Sequence, residues 1–534
     1  MKKLLITLTF LFTLFSVNAA KYYISPTGVT GNTGTTVGSP KGTLAQVFAA
    51  FDLGSLDTIF VAAGTYTETG TTVGTNDNDF VIQGAALDLN GDPTSIFDAG
   101  STARWLLLNN VANDNIVINR LTIKDHKNTD GGDPGGGGAI KVIAGAVGLT
   151  INYCIFDNCD TRTASLHHRG GAIYSAEALT IKYTTFRNCN AEYYGGAISI
   201  ELSPSANSII SYCKFYSNNS TDYGSALFYG IATTKSLTIT NSLFYENGNT
   251  TGAAVIVGMN TGSTINIMNC TITRNGNASY GTGGVLAVSS SKVYLTNTIL
   301  YLNVGTTYND AYNNSSTMTF TNCLYGSSSE INSISPNTSP TIGDPTFVDV
   351  ATDNYHLQSL SIAINKGTLT GAPTNDLDLA TRTDNPDVGA YEYIPVSLPI
   401  ELLYFDGEPH VIYNKIYWIT ASEDNNDYFN IYRSADGVYF NNIFTIKGAG
   451  NSNHNLYYEV IDRNFDPVIN YYILRQTDFD GRWKDSEIIS IDNRGESAPT
   501  LVKVTNLLGQ DVGDDATGIL LYHYSDGTIL KRIH

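Results

Sequence analysis

The chain is poor in charge, in methionine and in long apolar runs. Charged residues make up 15% of its 534 positions and Met occurs 4 times, beside 50 Gly, 34 Tyr and a heavy load of Thr, Asn and Ser. That balance disfavours helices and favours strands joined by turns. Beyond the N-terminus no segment approaches the ~20 apolar residues that a spanning helix needs, which excludes a transmembrane helix. The Cys and His residues show no metal-binding spacing anywhere. Acidic residues outnumber basic ones for a net charge of −19, so nucleic acid and anionic membrane are excluded as partners.

Lys2 and Lys3 precede a charge-free, mostly apolar run from Leu4 to Phe15 and then the small-residue stretch Ser16-Val17-Asn18-Ala19-Ala20. This pattern predicts a secretory signal peptide over residues 1–19, cut after Ala19. The nearest cysteine is Cys154, so no lipid-anchoring thiol stands at the cleavage site. The expected mature chain is a soluble monomer, extracellular or on the outer cell surface, exported through the periplasm.

More than five hundred residues exceed what one compact core holds, leaving several domains or an array that grows along one axis. The internal pattern favours the array. A glycine-led motif recurs as Gly137-Gly138-Ala139-Ile140, Gly170-Gly171-Ala172-Ile173, Gly195-Gly196-Ala197-Ile198, Gly224-Ser225-Ala226-Leu227, Gly252-Ala253-Ala254-Val255 and Gly283-Gly284-Val285-Leu286, at intervals of 33, 25, 29, 28 and 31 residues. A second motif follows each, as in Cys154-Ile155-Phe156-Asp157-Asn158, Thr184-Thr185-Phe186-Arg187-Asn188 and Cys213-Lys214-Phe215-Tyr216-Ser217-Asn218. The apolar runs are strand-length, and Gly and Asn supply positive-φ corners between them. Stacking such coils ~4.8 Å apart pairs each strand with its neighbours and aligns like residues into ladders. Cys154, Thr184, Cys213, Ser242, Cys270, Thr298 and Cys323 form one such ladder of small, inward residues.

These motifs resemble the repeats of polymorphic outer-membrane proteins and, more widely, of right-handed parallel β-helix proteins of the pectate lyase-like superfamily. The resemblance spans about residues 21–393 and implies a solenoid over 20–393. Thr43 and Gln46 form a capping box ahead of a predicted helix near 43–51, which would cover the open end of the first coil. The segment from Tyr355-His356-Leu357-Gln358 through Arg382 to Gly389-Ala390-Tyr391-Glu392 resembles the closing module of secreted β-helix proteins, and the solenoid is expected to stop there.

From Leu398 longer alternating strands predict a β-sandwich over 398–494. Leu398-Pro399-Ile400-Glu401-Leu402, Arg433-Ser434-Ala435-Asp436-Gly437 and Gln476-Thr477-Asp478-Phe479-Asp480-Gly481 resemble the fibronectin type III-like module that precedes the sorting signal of type IX secretion cargo. Residues 495–534, with Val504-Thr505-Asn506-Leu507-Leu508-Gly509-Gln510 and Lys531-Arg532, resemble a shortened type A sorting domain. That resemblance implies the type IX secretion machinery as a partner. The expected fold class is all-β: a right-handed parallel β-helix, a β-sandwich and a short β-rich tail.

Chemistry concentrates between Arg120 and Asn190, where eight cationic residues face six acidic ones. Two long inserted loops, Asp125 to Gly136 and Asp160 to Arg169, fall on neighbouring coils and offer a cleft wall for an acidic sugar polymer. β-Elimination from a uronate needs a cation at the carboxylate, a base for the C5 proton and a donor to the leaving oxygen. Lys127, His167, His168 and Arg169 are the catalytic candidates, with Arg162, Lys182 and Arg187 as substrate-binding residues; a solvated loop surface is the plainer reading. Asp130 and Asp133 offer oxygen ligands to a calcium ion, the one cofactor considered. Asn128-Thr129-Asp130-Gly131 matches the first motif of polygalacturonase-like hydrolases, but the later motifs of that family do not follow. Cys159 and Cys189 fall on adjacent coils at a spacing that a disulfide spans, with buried free thiols as the alternative. Two readings stand: a β-helix that binds, and in the lyase-like version cleaves, an extracellular polysaccharide, or a non-catalytic adhesin or structural rod.

Overall fold

The structure, a computed structural model, describes residues 19–533 except 55, 75, 110–114, 129–135, 146–147, 163–166, 249–253, 278–280, 383–384, 395–401, 453, 480, 482, 495–499, 514–515, 526 and 528. The predicted signal peptide, Asp130 and Asp133, and the first motif of the second unit up to residue 401 lie outside the described residues. The chain divides after Tyr393 into two compact units.

In the first unit each coil contributes one strand in turn to three parallel sheets, here I, II and III, of 12, 11 and 10 strands. The sequence enforces this register because one residue of each short strand points into a dry interior. In sheet I, Ile59, Ile82, Ile118, Ile151, Ile181, Ile210, Ile239 and Ile267 pair in succession, and all are at most 1% exposed. In sheet II, Phe156, Phe186, Phe215 and Phe244 pair in succession, with ring centroids 4.9, 4.9 and 4.6 Å apart and nearly parallel planes. A one-residue slip would turn each set outward. The small-residue ladder from Cys154 to Cys323 is also buried throughout.

The doubled glycines stand where sheet II hands over to sheet III. Gly170, Gly195 and Gly224 line up, with φ of 64°, 66° and 69° and N–H groups donating across coils from Gly171 to Gly195 O and from Gly196 to Gly224 O. The second glycine is required by close approach: a Cβ on Gly171 would lie 2.1 Å from Gly196 O, and one on Gly196 2.0 Å from Ser225 O.

The asparagines of the second motif occupy two different places. Asn158 and Asn188 hold the left-handed corner, at φ 51° and 56°. Asn218, Asn247, Asn275 and Asn303 come one residue after the corner and point inward, each amide donating to the next at 2.9 Å. Cys159 and Cys189 are the preceding rungs of that ladder. Of the two readings of this pair the structure shows the buried free thiols, donating to carbonyls of the preceding coil, Ile123 O and Phe156 O, at 3.7 Å. Burial, first, and then the neighbouring Cys189 push the Cys159 thiol well above its ordinary range.

A short helix, Leu44–Phe48, precedes the second strand of sheet I, with the Thr43 hydroxyl accepting from Gln46 N at 3.2 Å. Gln46 Oε1 accepts from Gly42 N rather than from Thr43 N, and Leu44 and Val47 are buried in the solenoid core. At the other end the last strands in parallel pairing are Asn337–Thr338 and Thr341–Ile342. The chain then runs back along the corner between sheets I and II, where Asn241, Asn269, Asn297 and Asn322 donate to Asn375, Asp387, Thr368 and Lys366 carbonyls. Arg382 fastens this clasp: its side chain is buried, paired with Glu392 at 2.9 Å and donating to Asn241 Oδ1 at 3.0 Å.

The second unit is antiparallel. Leu402–His410, Tyr413–Thr420 and Leu456–Asp462 form one sheet; Glu423–Ser434, Asn441–Ser452, Ile469–Asp478, Trp483–Asp485 and Ile489–Asp492 form another. Trp418, Phe429, Ile431, Tyr472 and Leu474 supply the core. Leu501–Asn506, Ile519–Tyr524 and Ile529–Ile533 make a last small sheet.

Candidate functional site

The two inserted loops both emerge at the corner between sheets II and III, as the bridges Lys127 to Asp160 and Gly136 to Arg169 show. Stacking places the residue before each corner glycine in one column: Arg169, Tyr194 and Tyr223. Rings 193 and 194 stack at 3.8 Å, Tyr194 lies 4.2 Å from Phe228 and 5.7 Å from Tyr223, and His167 meets Tyr193 edge-on at 4.6 Å. The Arg169 guanidinium sits 5.7 and 5.4 Å from the centroids of Tyr193 and Tyr194, within cation–π range, and pairs with Glu201. Glu201 also accepts from Ser199 Oγ at 2.6 Å. Burial raises its carboxyl above the ordinary value, against the lowering effects of Arg169 and Ser199. Burial likewise raises Asp222, which His167 opposes.

The expected catalytic residues are only partly gathered. His167 is exposed and Arg169 half-buried at this corner. His168 is instead fully buried, with Nδ1 3.2 Å from Thr161 O and 3.8 Å from Glu192, a position from which it cannot take a proton from a bound polymer. Lys127 and Arg162 both turn to Asp160, at 3.8 and 3.0 Å. Arg187 faces out from sheet II between Asp157 and the Tyr216 hydroxyl. Lys182 ends a strand of sheet I, at the corner between sheets I and II, one residue before Tyr183 in the stacked row Tyr153, Tyr183 and Tyr212. Among the described residues no group of three or more Asp, Glu, His and Cys is placed to hold a metal.

Sequence reasoning missed Tyr193, Tyr194, Tyr223, Phe228 and Glu201. The signal was present, since Arg169-Gly170, Tyr194-Gly195 and Tyr223-Gly224 repeat a large side chain ahead of the corner glycine. The column offers ring faces and edges, one guanidinium and the Asp222 carboxyl, with Glu201 buried and engaged by Arg169 and Ser199, a set suited to gripping sugar rings by stacking and hydrogen bonds.

A family model described as a right-handed β-helix region matches residues 106–300. The repeat region is a parallel β-helix. Comparison with curated proteins finds no match. Among solved structures, PfbA, a surface adhesin of Streptococcus pneumoniae, is similar at 11% identity and a TM-score of 0.22, over 56% of this chain and 86% of that one. Among the described residues no helix is long and apolar enough to cross a membrane.

Proposed function

We propose that this is a secreted or surface-attached β-helix protein that binds an extracellular polysaccharide at the corner between sheets II and III. The observation that carries the reading is the column Arg169, Tyr194 and Tyr223, flanked by His167 and Tyr193. Arg169 is already neutralised by Glu201, and Asp160 takes up Lys127 and Arg162, so the grip rests on stacking and hydrogen bonding more than on charge. Retention should therefore be nearly insensitive to salt. Cleavage by elimination fits less well, because it needs a free cation and an exposed base together. The second unit and tail serve export and surface attachment through type IX secretion.

Affinity electrophoresis of the mature protein through pectin, alginate, chondroitin and neutral glycans, with product absorbance followed in parallel, tests the proposal. Retardation on at least one glycan, reduced about tenfold or more in Arg169→Ala and Tyr194→Ala as for a binding hot spot, is expected. Retardation on none leaves the rod reading in place; growth of unsaturated-product absorbance selects a lyase.

A further inference from the structure

The asparagine ladder ends on an acid. Asn303 Nδ2, the last amide of the row, donates to Asp310 Oδ1 at 2.8 Å, and Asp310 is wholly buried. Its N–H donates to Glu330 O at 2.9 Å, which ties the next coil to it. The other carboxylate oxygen, Asp310 Oδ2, and Glu330 Oε2 are both shut off from solvent and make no hydrogen bond. Glu330 lies close enough to oppose the ionisation of Asp310, and two buried carboxylates so placed repel unless something positive lies between them. Asn309 Nδ2 reaches only Glu330 Oε1, at 3.4 Å.

We propose that Asp310 and Glu330 share one proton, and that its release makes this pair a pH-operated latch on the last coils of the solenoid. The groups acting on Asp310 are Asn303 and the Gly326 amide, which favour its charged form, and Glu330, which opposes it. The Tyr301 phenol, itself beside Asp344, faces both acids. Burial, the largest cause, pushes Asp310 from its ordinary 3.8 up to about 7. An acid raised in the folded state favours folding most at low pH, where it is protonated in both states. That advantage is lost between about 4 and about 7 and stays lost above. Mildly acidic surroundings close the latch, and alkaline ones leave two negative charges in the pocket.

Amide exchange at pH 5 and pH 8, corrected for intrinsic rates, reads this directly. In the wild type, protection over residues 303–332 should fall about tenfold or more, the equivalent of one pKa unit. In Asp310→Asn the new amide donates to Glu330 and continues the ladder, so the fall should vanish and protection at pH 8 should exceed the wild type's. Should that variant fail to fold, Glu330→Gln supplies the same donor from the other side. The infrared band of a protonated carboxyl should titrate near neutrality in the wild type and disappear in Asp310→Asn. Unchanged wild-type protection, an equal fall in the variant, or protection restored at pH 8 by added calcium would each overturn the shared proton, the last in favour of a cation.

Discussion

Truncating Asn247 to alanine removes an inner rung of the asparagine ladder. Asn247 Oδ1 accepts from Asn218 N at 3.0 Å and Asn218 Nδ2 at 2.9 Å. Its Nδ2 donates to Phe215 O, Tyr245 O and Asn275 Oδ1 at 2.9, 3.1 and 2.9 Å. Alanine strands two donors on Asn218 inside the core, and a buried polar group left without its partner costs about 1–3 kcal/mol. The three acceptors add less, since carbonyl oxygens tolerate under-satisfaction better than N–H groups do. The sum is about 3–5 kcal/mol, at the severe end for one substitution. Each coil touches only its neighbours, so the damage should appear first in the coils bearing residues 213–275. Urea unfolding gives the total, and amide exchange gives its place. A loss below about 1 kcal/mol would refute the reasoning, because it would mean that water satisfies the stranded donors and the interior is not dry.

The two glycine roles separate by substitution. Gly196→Ala drives a Cβ to 2.0 Å from a carbonyl of the next coil and should cost more than about 3 kcal/mol, whereas Gly70→Ala, at φ 69° with nothing within 4 Å, should cost only about 1 kcal/mol; thermal melts compare the two. Arg382→Ala leaves Glu392 buried without its cation and should cost about 3–5 kcal/mol, with proteolysis beginning in residues 345–393 before the coils open. Alkylation of the denatured, unreduced protein should label both Cys159 and Cys189; labelling of neither would show them oxidised after all.

Much of the solenoid was legible because its physics repeats. Strand-length apolar runs and corner glycines recur often enough to reveal their register, and the alignment of Gly170, Gly195 and Gly224 follows from it. The inward turn of Asn218 was not legible. Phe-x-Asn and Phe-x-x-Asn look like one motif with a loose spacing, and only the left-handed φ at Ser217 shows that the second asparagine lies past the corner. The proposed site was half legible: charge and inserted loops pointed to the corner where the Arg169, Tyr194 and Tyr223 column stands, while His167 and His168, neighbours in sequence, end one exposed and one buried. The return of residues 345–393 along four corner asparagines is tertiary, since nothing local to Asn241 announces that Arg382 will meet it.

The binding surface can be located directly by amide exchange of the mature protein with and without the glycan that retards it most. Added protection confined to the segments around 167–170, 192–196 and 221–225 is the predicted result. Protection centred on the Tyr153, Tyr183 and Tyr212 row, or confined to the second unit, would contradict it.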